Sequence, residues 1–173
     1  MHRNSQRRPF RSFGYYFITP NVSQGFLILD THLFGYLLEH VIHLAAMVND
    51  CQIIAYKINP DHIHLLIRIG KEKTISQFMG SMKRNFSRQA NSMLKRIFKS
   101  NKSLGVCSPG EDSNPRLVCL NKFKWQTSYH SHLITSRQDF ENHVQYIKNQ
   151  YIKHELKENK FYFENETHEF MYI

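Results

Sequence analysis

The stretch Asp61-His62-Ile63-His64-Leu65-Leu66-Ile67-Arg68-Ile69 decides how this chain folds. Side chains on a β-strand alternate between faces with a period of two. Ile63, Leu65, Ile67 and Ile69 therefore share one face and can enter a core, while His62 and His64 stand together on the other. Neutral imidazole is the commonest side-chain metal ligand near neutral pH. Two imidazoles on one strand face supply part of a metal site, or else they are simply polar residues on a half-buried strand. Just upstream, Asn59-Pro60-Asp61 has strong turn chemistry. Residues 51–58 before that turn read as another strand, so the two form a hairpin, closed by Gly70.

Outward from the hairpin, residues 13–19 form an aromatic first strand ended by Pro20-Asn21. Residues 25–29 are either a short strand or the approach to a helix. Thr31 can cap a helix over 32–48, where Leu33, Phe34, Leu37, Leu38, Val41, Ile42 and Ala45 recur at helical spacing. Thr74 and Gln77 match a capping box. The helix they open runs to about residue 98, with Ile75, Phe78, Met79, Met82 and Phe86 on its apolar face. Residues 100–121 lack periodicity and read as a loop insertion, with a short strand conceivable at 116–120. A last short strand is expected at 123–129 and a helix from 138 to about 154. The aromatic tail Phe161-Tyr162-Phe163 has either the body or a second subunit to dock on. The whole of 1–173 reads as a single domain, with a basic arm at 1–12 and a tail at 155–173.

A hydrophobic fraction of 41% and an aromatic fraction of 13% suit one folded domain of 173 residues. No apolar run approaches the roughly 18–20 residues that span a bilayer, so no membrane partner is expected. The basic start lacks an apolar segment after it, which argues against a secretory signal. Three cysteines with no Cys-x-x-Cys pair argue against a disulfide framework or a thiolate zinc site. A cytoplasmic protein is the expectation. The net charge of +9 concerns partners rather than fold. Between Lys71 and Lys102 lie nine basic residues and a single acid, Glu72. Lys83, Arg84, Arg88, Lys95 and Arg96 in that run, with Arg7, Arg8 and Arg11 in the arm, are the candidate nucleic-acid contacts. No phosphate-binding Gly-x-x-x-x-Gly-Lys-Ser/Thr loop exists, so no nucleotide cofactor is expected.

The last predicted helix contains Tyr146-Ile147-Lys148-Asn149-Gln150. Tyr146 and Gln150 are four apart and share a face, with Cβ atoms about 6 Å apart. Two imidazoles and an amide oxygen suit a hard or borderline divalent cation with open positions. Such an ion can polarise a phosphodiester, and a neighbouring tyrosine can attack it. A phenol of reference pKa near 10 is only about 0.1% ionised at pH 7, so the cation or a lysine such as Lys148 or Lys153 would have to activate it. Read singly, Tyr146 is an ordinary packing aromatic and Gln150 a surface amide. His130 and His132 form a rival His-x-His pair, His40 and His43 suit surface or packing roles, and Trp125 suits the core or base stacking.

Three blocks occur in order: Asn59-Pro60-Asp61-His62-Ile63-His64-Leu65-Leu66, Trp125-Gln126-Thr127-Ser128-Tyr129-His130-Ser131-His132, and Tyr146-Ile147-Lys148-Asn149-Gln150. Together they resemble the single-tyrosine His-hydrophobe-His transposases, both the insertion-sequence-200-like enzymes and the relatives associated with repetitive extragenic palindromes. The resemblance implies an α+β, ferredoxin-like or RRM-like domain: a central antiparallel sheet with helices packed on one side. It implies Mg²⁺ or Mn²⁺ held by His62, His64 and Gln150. It implies that Tyr146 cleaves single-stranded DNA through a 5′-phosphotyrosine, that hairpins are bound by the basic surface, and that the working form is a homodimer. Gln150 follows the insertion-sequence form, whereas the Trp125-Gln126 block looks more like the palindrome-associated relatives, which leaves the subgroup open. A non-catalytic DNA- or RNA-hairpin binder on the same fold is the alternative, and a replication or mobilisation initiator a third, though those usually need more chain.

Overall fold

The turn at 59–61 gives the expected hairpin, around which the rest is arranged. The computed structural model describes residues 11–103, 122–156, 159–168 and 170–171. In chain order the elements are β1 (Tyr15–Val22), α1 (His32–Val48), β2 (Cys51–Ile58), β3 (Ile63–Ile69), α2 (Ile75–Ser103), β4 (Trp125–Ile134), α3 (Arg137–Lys148), α4 (Gln150–Lys153) and β5 (Tyr162–Glu164). The sheet order is β4-β1-β3-β2-β5, and every neighbouring pair is antiparallel. The first four strands with α1 and α2 make the βαββαβ ferredoxin-like arrangement, with β5 added at one edge. The α+β class is as the sequence predicts.

α1 and α2 cover one face of the sheet. Ile63, Leu65, Ile67 and Ile69 of β3 enter the main core there with Phe34, Leu38 and Ile42 of α1 and Phe78, Met82 and Phe86 of α2. Fully burying one such side chain contributes about 1.5–3 kcal/mol. Each helix starts where its cap lies: Thr31 Oγ1 accepts from Phe34 N–H at 3.4 Å. The Thr74 N–H donates to Gln77 Oε1 at 2.8 Å, and Gln77 N–H to Thr74 Oγ1 at 3.3 Å. The opposite face carries His64 and a smaller core of Tyr15, Phe17, Leu66, Ile134, Phe140 and Ile147, over which α3 crosses. A bulge in β2, between Ile53 and Ala55, puts Ile54 and Ala55 into that second core.

Several boundaries differ from the sequence reading. β1 does not stop at Pro20-Asn21. Its register on β4 shifts between Pro20 and Val22, and a bulge is where a strand tolerates proline. Residues 25–29 approach α1 through 3₁₀ turns, Ser23–Gly25 and Ile28–Asp30, rather than as a strand. β4 runs on to Ile134, because its ladder with β1 extends to Tyr15↔Ile134. α2 includes residues 100–103 of the expected loop; the remainder of that loop, with the strand at 116–120, lies outside the described residues. The helix of 138–154 is interrupted at Asn149, whose φ of −88° and ψ of 3° end α3. The aromatic tail docks on the body. β5 pairs with β2, and the Phe161 ring lies over Gly35 so closely that a Cβ there would collide with it. No described helix is long and apolar enough to cross a membrane.

Candidate active site

His62 sits at the entry to β3, bridged to Asn21 of the β1 end, and His64 one residue into the strand. Their Nε2 atoms face each other at 3.1 Å. The other ring nitrogens are occupied. His62 Nδ1 lies 2.7 Å from Asp61 Oδ1, and His64 Nδ1 lies 3.0 Å from Thr19 Oγ1. A carboxylate can only accept, so the proton of His62 belongs on Nδ1 and its Nε2 carries a lone pair. That lone pair also receives Asn59 Nδ2–H at 3.0 Å.

His64 is 5% exposed. Burial, reinforced by the neighbouring His62, holds its pKa well below the ordinary imidazole range, at about 3. The ring is therefore neutral across the physiological range, the form that ligates metals. The same shift sets a pH dependence. In the unfolded chain His64 titrates near pH 6.5. Between that value and about 3 the unfolded state binds the extra proton, so native stability falls as the pH is lowered through this window. Urea midpoints at pH 7.5 and pH 4.5 are expected to differ more for the wild type than for His64→Gln. Equal differences would show that His64 does not supply the pH dependence.

Gln150 opens α4 and is 1% exposed. Its Nε2 donates to the Tyr146 carbonyl at 3.1 Å, while its Oε1 is buried with no hydrogen-bond partner. The amide lies near enough to His64 to favour that ring's protonated form, against the larger effect of burial. A buried carbonyl oxygen without a donor is costly, and close to the His64 ring, whose Nε2 faces that of His62, it is suited to a cation. Asn59 Oδ1 is a second buried amide oxygen without a partner.

Tyr146 projects from the same side of α3 and is 37% exposed. Its ring centroid lies 5.1 Å from that of His64 and 5.8 Å from that of Phe17. Lys153 Nζ donates to the Tyr146 hydroxyl at 3.3 Å and lies 5.2 Å over the ring. Lys148, the other lysine the sequence offered, turns away to Glu164 at 3.6 Å. Phenol, ammonium, imidazole pair and amide thus meet within one chain. His154, unremarked in the sequence, joins them with its ring 5.2 Å from His62. The sequence marks Thr19 only as a strand residue and Asn59 only as part of a turn and a motif block, not as partners of the imidazoles. Strand alternation indicates a face but not which residue of β1 lies opposite His64.

The basic residues do not converge on this point. Arg84, Arg88, Lys95 and Arg96 are exposed on α2, across the sheet from the imidazoles. Lys83 Nζ donates to the Gln126 and Ser128 carbonyls of β4 at 2.8 and 3.4 Å. The Arg11 backbone N–H donates to the Tyr16 hydroxyl at 2.7 Å. Arg7 and Arg8 lie outside the described residues. The rival pair separates in role: His132 turns to Asp139 and His143 of α3. Trp125 is half-buried against Phe86 and Phe123. His40 is exposed, and His43 packs on Tyr56 and Phe163.

A ferredoxin-like sheet with a histidine pair and a tyrosine helix on one face is the class that fold and site define together. Residues 28–106 match the family described as "Transposase IS200 like". The matched segment runs from the approach to α1 past the end of α2 and contains the histidine pair, but not Tyr146 or Gln150. Over this segment the chain resembles the IS200-like transposases, the family its motif blocks point to. Among solved structures, the chain is similar to a REP-associated tyrosine transposase bound to a REP hairpin. The two share 20% identity and a TM-score of 0.61, over 87% of this chain and 74% of that one. A candidate transposase from Deinococcus radiodurans R1 is 19% identical with a TM-score of 0.48, over 84% of this chain and 97% of the other. No curated protein matches the chain.

Proposed function

We propose that the chain is a divalent-metal-dependent strand transferase that cuts and rejoins single-stranded DNA through Tyr146. The observation that carries this reading is the approach of the Tyr146 ring to His64, at 5.1 Å, with Lys153 on the phenol oxygen. His62, His64 and Gln150 would hold Mg²⁺ or Mn²⁺. A bound divalent ion supplies Lewis-acid polarisation of a phosphoryl oxygen. The Tyr146 oxygen attacks phosphorus in line, its proton passing to solvent. The phosphorus–O3′ bond breaks and the leaving O3′ takes a proton from solvent, giving a 3′-hydroxyl and a 5′-phosphate on the tyrosine. The Lys153 ammonium stabilises negative charge developing on the phenol oxygen. A second 3′-hydroxyl reverses the step and restores the phenol, so joining conserves bond energy without ATP. Arg84, Arg88, Lys95 and Arg96, with Lys83, Arg7, Arg8 and Arg11, would contact the phosphates of a DNA hairpin, and a homodimer would bring two strand ends together. The hairpin-bound transposase of similar fold supports a hairpin as ligand.

The test is a labelled single-stranded hairpin oligonucleotide incubated with Mn²⁺ and resolved under denaturing conditions. A covalent protein–DNA adduct that disappears with a chelator is expected. Salt-sensitive binding with no adduct for any substrate would instead identify a hairpin binder. A second outcome concerns the partners that orient the imidazoles. Thr19→Val removes the hydroxyl facing His64 Nδ1. It is expected to weaken Mn²⁺ binding by about 10–100-fold, as loss of such a partner typically does. Titration calorimetry checks this, and an unchanged affinity would exclude Thr19 from the site.

A further inference from the structure

A second cluster on the same face is not used by the chemistry above. The pairing Phe17↔His132 puts His132 of β4 on the side of the sheet that α3 covers. Asp139 and His143 are four apart on α3 and face it. His132 Nε2 lies 2.9 Å from Asp139 Oδ2, and His143 Nδ1 lies 3.0 Å from Oδ1. The two imidazoles stack at 5.1 Å and 22°. One ligand atom from each of the three residues lies within 4.8 Å of the other two. Asp139 Oδ2 also accepts the Thr135 N–H at 3.3 Å, and His143 Nδ1 lies 2.8 Å from the Asp139 carbonyl. Asp139 and His143 are only 22% and 23% exposed, and His132 43%.

We propose that His132, Asp139 and His143 form a second metal site, distinct from the His62–His64 pair, which takes a borderline divalent cation of the zinc class and ties β4 to α3. Two imidazole nitrogens, one carboxylate oxygen and a fourth position open to water are a common zinc ligand set. Ligand bonds of about 2.0–2.2 Å imply tetrahedral edges of about 3.3 Å. The present separations of 2.9 and 3.0 Å fall a few tenths short of that, within reach of small side-chain rotations. In the metal-free arrangement His132 Nε2 and His143 Nδ1 donate to Asp139 oxygens; a cation displaces those protons, so that each imidazole binds in its neutral form with its proton on the other ring nitrogen. Mg²⁺, which prefers octahedral oxygen ligands, does not compete. The two sites are separate but adjacent: the Phe17 ring lies 4.5 Å from His143 and 5.4 Å from His64. Tyr146 follows His143 by three residues, so a cation here fixes the helix that presents the phenol.

The experiment is a zinc titration of the full chain after chelator stripping, in excess Mg²⁺, against a chromophoric competitor. The His62→Gln/His64→Gln variant removes the first pair. It is expected to retain one zinc per chain, and adding His143→Gln should weaken that binding more than about 10-fold, since losing a ligand costs more than losing its partner. Circular dichroism verifies that each variant is folded. If the double variant does not fold, wild type and His143→Gln are compared, and the zinc stoichiometry should fall by one. No zinc retained against the competitor, or the same zinc binding after His143→Gln, would overturn the proposal and leave a hydrogen-bonded clamp. Because the readout is metal content, failure of Tyr146 to form an adduct would not alter it.

Discussion

Tyr146→Phe is expected to abolish the covalent protein–DNA adduct, by at least about a thousandfold, as loss of a nucleophile does, while hairpin affinity changes by less than about twofold. The separation of the two effects follows from the geometry. Phenylalanine keeps the ring contacts with His64 and Phe17. What is lost is the hydroxyl and its exposed bond from Lys153, an interaction of about 1 kcal/mol or less to stability. Denaturing electrophoresis of the labelled hairpin reads the adduct, and filter binding without denaturant reads the affinity. An undiminished adduct would mean that another residue attacks.

His64→Ala is the second large effect. It removes an inward-facing nitrogen and leaves Thr19 Oγ1 without its imidazole partner. Mn²⁺ affinity is expected to fall more than about 100-fold, beyond the 10–100-fold typical of losing only an orienting partner. Adduct formation should fall with it and recover in part at high Mn²⁺. Because the side chain is buried, truncation also costs stability, on the order of 1–3 kcal/mol. The comparison should therefore be made well below the melting temperature. Calorimetry and single-turnover cleavage at graded Mn²⁺ test the pair of outcomes. Loss of cleavage with unchanged Mn²⁺ affinity would assign His64 a role other than ligation.

Much of this candidate site is legible in the sequence, and the reason is local periodicity. Alternation along β3 placed Leu65 in the core and His64 opposite it. Helical spacing put Tyr146 and Gln150 on one side of the same segment, and the caps at Thr31 and Thr74 marked where helices begin. What escaped depends on partners distant in sequence. Pro20 reads as a terminator because its bulge exists only against β4. Thr19 reads as one more strand residue because only the β1–β3 register brings it to His64. His132 looked like half of a pair with His130, since nothing nearby in sequence announces that its partners are on α3. Asn149 interrupts a helix whose pattern continues across it, and that interruption makes Gln150 the first residue of α4. The basic run on α2 was visible, yet its position across the sheet from the imidazoles was not.

The most direct test is chemical mapping of the trapped complex. After incubation with hairpin DNA and Mn²⁺, the adduct is digested with nuclease and trypsin and the peptides are sequenced by mass spectrometry. A nucleotide joined through its 5′-phosphate to Tyr146 is the predicted result. The same mass on Tyr129 or Tyr151, or no modified tyrosine in a complex that still survives denaturation, would contradict it.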